Sequence, residues 1–162
     1  AGLAVMHAAR LRAEGLSFDE IVKQTLANVP KTKIFFCVDT LDYLYKGGRI
    51  GLATYKLGSI LRLHPVITCN DEGVYVTAAK VRGRKASLRK AVELTQKFVG
   101  NSKSYRYVVS QGDAVVEADE MIATADADFP YNVEPVESVQ VSPALIVHTG
   151  PGIIGVGAQI LD

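Results

Sequence analysis

The sequence predicts a mixed α/β domain, with helices packed on a sheet that is not purely parallel. Segments of 3.6-residue apolar periodicity alternate with short β-rich apolar runs. Two of those runs, Pro65 to Cys69 and Val74 to Val81, are joined by the polar turn Asn70-Asp71-Glu72-Gly73, as in a β-hairpin. With 162 residues, 48% apolar and 22% charged, the chain has a globular composition and can bury one sizeable core.

Taken in order, Ala1 to Glu14 reads as a helix already under way, with neither an initiator Met nor the charged start of a signal peptide, so a trimmed N-terminus is expected. Gly15 stops it. Ser17 and Glu20 have capping-box spacing and open a second helix with Ile21, Val22, Thr25 and Leu26 on one face; Pro30 lies just past its end. Lys33 to Val38 is a continuous apolar run that suits a strand covered on both faces. Asp39 to Lys46 fits one or two helical turns, opened by Asp39 or Thr40 and closed by Gly47-Gly48, and a further helix is expected over Leu52 to Leu61.

Beyond the hairpin, Leu88, Ala91, Val92, Thr95, Phe98 and Val99 recur at helical spacing within Ala86 to Val99, and Gly100 stands where a terminating glycine belongs. Tyr105 to Ser110 reads as a strand and Ala114 to Ala125 as a helix. Tyr131 to Val136, Pro143 to Val147 and Ile153 to Ile160 read as strands.

Composition limits the function classes. No apolar run approaches the roughly 20 residues of a membrane span, so the protein is expected to be soluble. A net charge of +1 provides no global field for recruiting nucleic acid or membrane, which leaves only local patches. Cys37 and Cys69 lie in apolar runs without metal or redox spacing and read as buried thiols of a reducing, cytoplasmic compartment.

Three segments stand out. Gly47-Gly48-Arg49-Ile50-Gly51 is a glycine turn that carries one arginine into the space between two helices; by itself it is either a plain helix-helix turn or a place of close approach. Lys80, Arg82, Arg84, Lys85, Arg89 and Lys90 are six basic residues with no acid among them. They stand where a helix begins, against its macrodipole, so either a solvated face or an anionic ligand or acidic partner is implied. Nucleic acid is the obvious anion, and a regulatory or nucleic-acid-binding module built on residues 80–90 is the alternative function. The patch has no interleaved aromatics for base stacking, however, and protein docking fits it better.

The third segment, His148-Thr149-Gly150-Pro151-Gly152-Ile153-Ile154-Gly155, contains a literal G-x-G-x-x-G between two expected strands. Only seven residues follow Gly155, too few for a dinucleotide-binding unit. A histidine and a threonine at a strand end remain, beside glycines that admit a ligand to the backbone; a satisfied structural histidine is the other reading. No nucleophile elbow accompanies them.

VDTLDYLYKGGRIG, then LGSILRLHPVI followed by KVRGRK, then HTGPGIIGVG, together resemble the DegV family over essentially the whole chain. The resemblance implies the C-terminal lobe of a two-lobed fold that encloses one long-chain fatty acid. Residues 1–30 would be trailing helices of the N-terminal lobe and 31–162 the lipid-binding domain. In bacterial members it implies the non-catalytic, lipid-carrying subunit of a fatty acid kinase, whose separate ATP-dependent partner phosphorylates the carboxylate. No cofactor, metal or nucleic acid is expected besides the fatty acid. By the same resemblance His148, Thr149 and Gly150 meet the carboxylate. Arg49, Arg82 and Arg84 are candidates for meeting the partner. Leu57, Ser59, Ile60 and Leu61, with the strands near Val66 and Ile67, are candidate tunnel walls, for which core packing is an equal reading and, for Ser59, helix packing the favoured one.

Overall fold

The computed structural model describes residues 1–51, 63–125, 129–133 and 138–162. Among them are the strands β1 (Thr32–Cys37), β2 (Val66–Cys69), β3 (Tyr75–Ala79), β4 (Tyr105–Gly112), β5 (Ser138–Gln140) and β6 (Ile153–Ile160). They form one sheet in the order β3-β2-β1-β6-β4-β5, antiparallel throughout except for the parallel pair β4 and β5. The helices are α1 (Gly2–Ala13), α2 (Phe18–Asn28), α3 (Asp42–Lys46), α4 (Arg84–Val99), α5 (Val115–Ala125) and α6 (Pro143–Thr149). The mixed α/β architecture expected from the hairpin is therefore present.

Strand alternation divides the core into two layers. Ile154, Val156 and Ala158 of β6 point to one face with Tyr105, Tyr107 and Val109 of β4, beneath Val92 and Val99 of α4 and Ala118 and Met121 of α5. Phe35 and Cys37 of β1 and Val66 of β2 continue that layer against Ala91. On the opposite face Phe36, Ile67 and Ile153 pack with Val38, Leu41 and Leu44, and with half-buried Leu145 and Ile50. Val66 thus belongs to the helix-covered core, and Ile67, one residue on, faces the other side.

Local signals account for most element ends. Ser17 accepts from the Glu20 N–H while the Glu20 carboxylate accepts from the Ser17 N–H, the reciprocal arrangement that opens α2. The end of α2 is fastened to β6, because the Asn28 side chain donates to the Ile160 carbonyl (3.0 Å) and accepts from Gln159 (2.6 Å). Thr40 Oγ1 accepts from the Asp42 N–H at the start of α3. α4 begins at Arg84, two residues before the expected Ala86, since Gly83 at φ 82° supplies the entry bend.

One strand expectation is corrected. Pro143 to Val147 is not a strand: it is helix α6, with Ser142 in extended conformation as N-cap and Pro143 in the first turn, where its missing N–H costs nothing. The run is apolar enough for either structure, and packing decides: Leu145 and Thr149, four apart, turn inward, while Val147 is 68% exposed. Of the strand expected over Tyr131 to Val136, the described part is 131–133, where Asn132 forms a bridge to Tyr105; β5 is described from Ser138. The helix expected over Leu52 to Leu61 lies outside the described residues, as do 134–136.

Leu44 is fully buried under the turn that follows α3. Leu44→Ala is expected to lower unfolding stability by about 2–5 kcal/mol, read from equilibrium urea denaturation; a loss below about 1 kcal/mol would mean that this layer is not a packed core.

Candidate functional site

The site forms where the segment after β1 meets the segment before β6. α3 ends at Gly47-Gly48, and the N–H groups of Arg49 (2.8 Å) and Ile50 (3.2 Å) both return to the Leu44 carbonyl. That tight turn directs Arg49 toward the C-terminal end of α6. There the guanidinium Nη2 lies 3.3 Å from His148 Nε2, and Nη1 donates to the Gly47 carbonyl. Residues 99 apart in sequence are thus in contact.

Two glycines let the helices come this close. Gly150 has φ +80°, and a Cβ there would fall 2.4 Å from the Tyr43 ring, so the ring of α3 seats directly on the backbone that ends α6. A Cβ on Gly47 would stand 3.0 Å from His148 Nδ1. The imidazole is consequently wedged against α3, its Nδ1 buried and without a hydrogen-bond partner among the described residues. His148 sits in the last turn of a helix rather than at the strand end expected from sequence. Thr149 is buried and its hydroxyl donates to the Leu145 carbonyl (2.9 Å), while the Gly150 N–H donates to Ile146 (2.7 Å). The Thr149 hydroxyl is therefore engaged inside α6.

Beside Arg49 opens a cleft of about 460 Å³. Its described walls are mainly apolar: Leu41, Ile50, Pro65, Ile67, Tyr75 and Val76, with Gly48 and Arg49 at one side. Of the expected tunnel residues, Leu57, Ser59, Ile60 and Leu61 lie outside the described residues; of the neighbouring strand positions, Ile67 lines this cleft and Val66 does not.

The basic segment divides in the structure. Arg84 turns inward, where Nε and Nη2 donate to both carboxylate oxygens of Glu117 (2.7 and 2.6 Å) and Nη2 also donates to the Gly152 carbonyl (2.7 Å). Asp39 stands 3.9 Å away. Arg84, expected to face a partner, instead joins the starts of α4 and α5 to the loop that leads from His148 into β6. Its hydrogen bonds hold the Glu117 carboxyl below the usual range, while burial opposes the shift. The acids that offset charge at the start of α4 come from remote segments, so nothing in residues 80–90 announced them. Lys90 pairs with Glu93 (2.7 Å), and Lys80, Arg82, Lys85 and Arg89 are exposed.

Other chemistry is limited. Burial pushes the Cys37 thiol up to about 11, partly countered by the Ser87 hydroxyl, so it is not a nucleophile near neutral pH; Cys69 is half-buried. Among the described residues no cluster of three metal-ligating side chains occurs, and no helix is long and apolar enough to cross a membrane.

Residues 1–160 match the family described as "uncharacterised protein, DegV family". A DegV domain-containing protein of Clostridium acetobutylicum is 38% identical over 154 residues, covering 95% of this chain and 54% of that relative. One of Clostridium perfringens is 34% identical over 158 residues, covering 98% and 55%. Among solved structures, a fatty-acid-binding DegV family protein from Thermus thermophilus aligns with TM-score 0.87 at 28% identity, covering 99% of this chain and 56% of that one. A stearic-acid-binding protein from Eubacterium ventriosum aligns with TM-score 0.86 at 27% identity, covering 98% and 54%. The chain spans about half the length of these relatives.

The ion pair under the His148 loop has a pH signature. Because the folded-state Glu117 carboxyl lies below its ordinary value of 4.5, its contribution is present above that value and is lost as pH falls through the folded value. Glu117→Gln is expected to cost about 1–3 kcal/mol at pH 7, and the gap to wild type should close on acidification below the ordinary carboxylate range. Urea midpoints measured across pH 3 to 7 check this, and a gap that stays constant down to the lowest pH would refute it.

Proposed function

The chain belongs to the DegV family, and we propose that it binds a long-chain fatty acid, holds the carboxylate with His148 and presents it to a separate ATP-dependent kinase. The observation that carries this reading is the join of two chemistries at one place. An apolar cleft of about 460 Å³ has at its side an arginine in contact with the histidine that the family resemblance assigns to the carboxylate. The relatives described as fatty-acid-binding, which align over 98–99% of the chain, support the same ligand.

The physics divides the work between tail and head. Burying an acyl chain gains about 0.8 kcal/mol per methylene, on the order of ten kcal/mol for a long chain before ordering and association costs. That term supplies affinity and is indifferent to orientation. A carboxylate withdrawn from water without partners costs several kcal/mol, so donors at one end of the cleft determine which way the lipid enters. His148 supplies such a donor on a helix end braced by Tyr43 and Gly47.

In this reading the protein does no chemistry on the lipid; it presents a carboxylate oxygen to the partner's phosphate donor. Arg82 is the proposed docking residue, exposed at the entrance to α4 with Lys80, Lys85 and Arg89 nearby, whereas Arg84 serves the fold. Exposed charges of one sign govern encounter more than final affinity, which suits a transient transfer complex.

His148→Ala in the intact protein should reduce acyl-phosphate formation by about ten- to a hundred-fold, the value of one hydrogen bond to a charged group. Kinase-coupled turnover with ATP reads this, and unchanged turnover would remove His148 from the site. Arg82→Glu is expected to slow the same turnover while lipid content, measured by mass spectrometry of extracted lipid, stays as in wild type. If lipid is lost instead, Arg82 acts on the ligand and not on the partner.

A further inference from the structure

We propose that Tyr75 selects the fatty acid: its ring divides the tail cleft from a second cleft at the head-group end, and so excludes chains that branch close to the carboxylate. The inference rests on the reading of the apolar cleft as the seat of the tail, and it names the side chain that limits what enters there.

A second cleft of about 340 Å³ lies beside the first. It is walled by Gly48, Arg49, Gly73, Val74 and Tyr75, and all of these but Gly73 also border the apolar cleft of about 460 Å³. Leu41, Ile50, Pro65 and Ile67 border the apolar cleft alone. The two spaces therefore meet near the Arg49 contact with His148, where the proposed head group lies, and not further along the tail. The second space exists because two turns carry no side chains. Gly48 follows α3 and Gly73 ends the hairpin turn, with φ +71° and +80°, and a Cβ at either would meet nothing within 4 Å.

Tyr75 is the one aromatic ring among the shared walls, and it is held in place. It stands opposite Cys69 in the register of β2 and β3 and is half-buried. Its ring meets Phe36 edge-on, with centroids 5.2 Å apart and planes at 68°. Phe36 is itself buried in β1, opposite Ile67 of β2 on one side and Gly155 of β6 on the other. The wall cannot swing aside without breaking a packed aromatic pair. A straight chain passes along such a ring, whereas a methyl branch on the first few carbons is driven into it, and overfilling a packed site is unfavourable. With the ring gone the clefts join. The second cleft has about ten times the roughly 30 Å³ that a water molecule takes up in the liquid, ample for a methyl group.

The test uses intact, delipidated protein with stearic acid and 3-methylstearic acid as probes, and affinities are read by titration calorimetry. Wild type should bind stearate about ten- to two-hundred-fold more tightly than the branched acid, the range for one misplaced methylene in a fitted pocket. Equal affinities would overturn the inference with no variant needed. Tyr75→Ala should bring the two affinities within about three-fold of each other. Tyr75→Phe should keep the gap, because the ring and not the hydroxyl is the wall. Tyr75→Leu leaves an apolar group on Phe36 to preserve the fold, and the gap should narrow there too. If the gap is unchanged in Tyr75→Leu, shown to be folded by its urea midpoint, the role of Tyr75 is refuted and the fatty-acid reading stands. If stearate does not bind wild type at all, the reading of the cleft falls and this inference falls with it.

Discussion

The pairing of β1 with β6 is the constraint on which the remaining arrangement depends. It joins residues 32–37 to residues 154–159 in antiparallel register, with Cys37 opposite Ile154. The chain leaves β1 and enters β6 at the same end of the sheet, so α3 and α6 have to meet there. A slip of one residue would exchange the faces of β6. Ile154, Val156 and Ala158 would leave the layer under α4 and α5, and the side that carries Gly155 and Gly157 would replace them. A slip of two would keep the faces and displace the helix ends by about 6.6 Å, far more than the Arg49 to His148 contact could follow.

Close approach is then a matter of volume. The ring of Tyr43 occupies the space that a side chain at 150 would need, and His148 Nδ1 presses against the space that one at 47 would need. Gly150 is glycine for what stands beside it as well as for backbone angle; Gly47, with an ordinary helical φ of −77°, only for what stands beside it. On the far side of the same loop, Arg84 binds the Gly152 carbonyl while Glu117 holds its guanidinium in place. The loop between His148 and β6 is therefore braced by packing on one side and by charge on the other. The proposed head-group site would draw on that rigidity, because a donor that wanders does not orient an anion.

Some of this was legible from residues in order along the chain. The hairpin, the helix with its strict period ending at Gly100, and the reciprocal Ser17–Glu20 cap are local patterns, and each forms as its spacing implies. The run Pro143 to Val147 misled because a short stretch of Ala, Leu, Ile and Val suits either period, and only the direction of its burial against Leu41 and Ile153 selects the helix. The cluster of six basic residues was visible too, yet the sequence could not tell that one of them turns inward, since its acid lies 33 positions away on another helix.

By itself the sequence determined the family, the secondary elements with strong period or turn chemistry, and His148 as a candidate on the strength of its motif. Tertiary structure decided which of the candidate groups touch. It brought Arg49 to the imidazole, took Arg84 into the fold, and put Ile67 on the cleft side with Val66 in the core. The physical reason is range: caps, turns and periods are set by neighbours within about four residues, whereas these contacts join segments from 33 to 99 residues apart that the tertiary fold brings together.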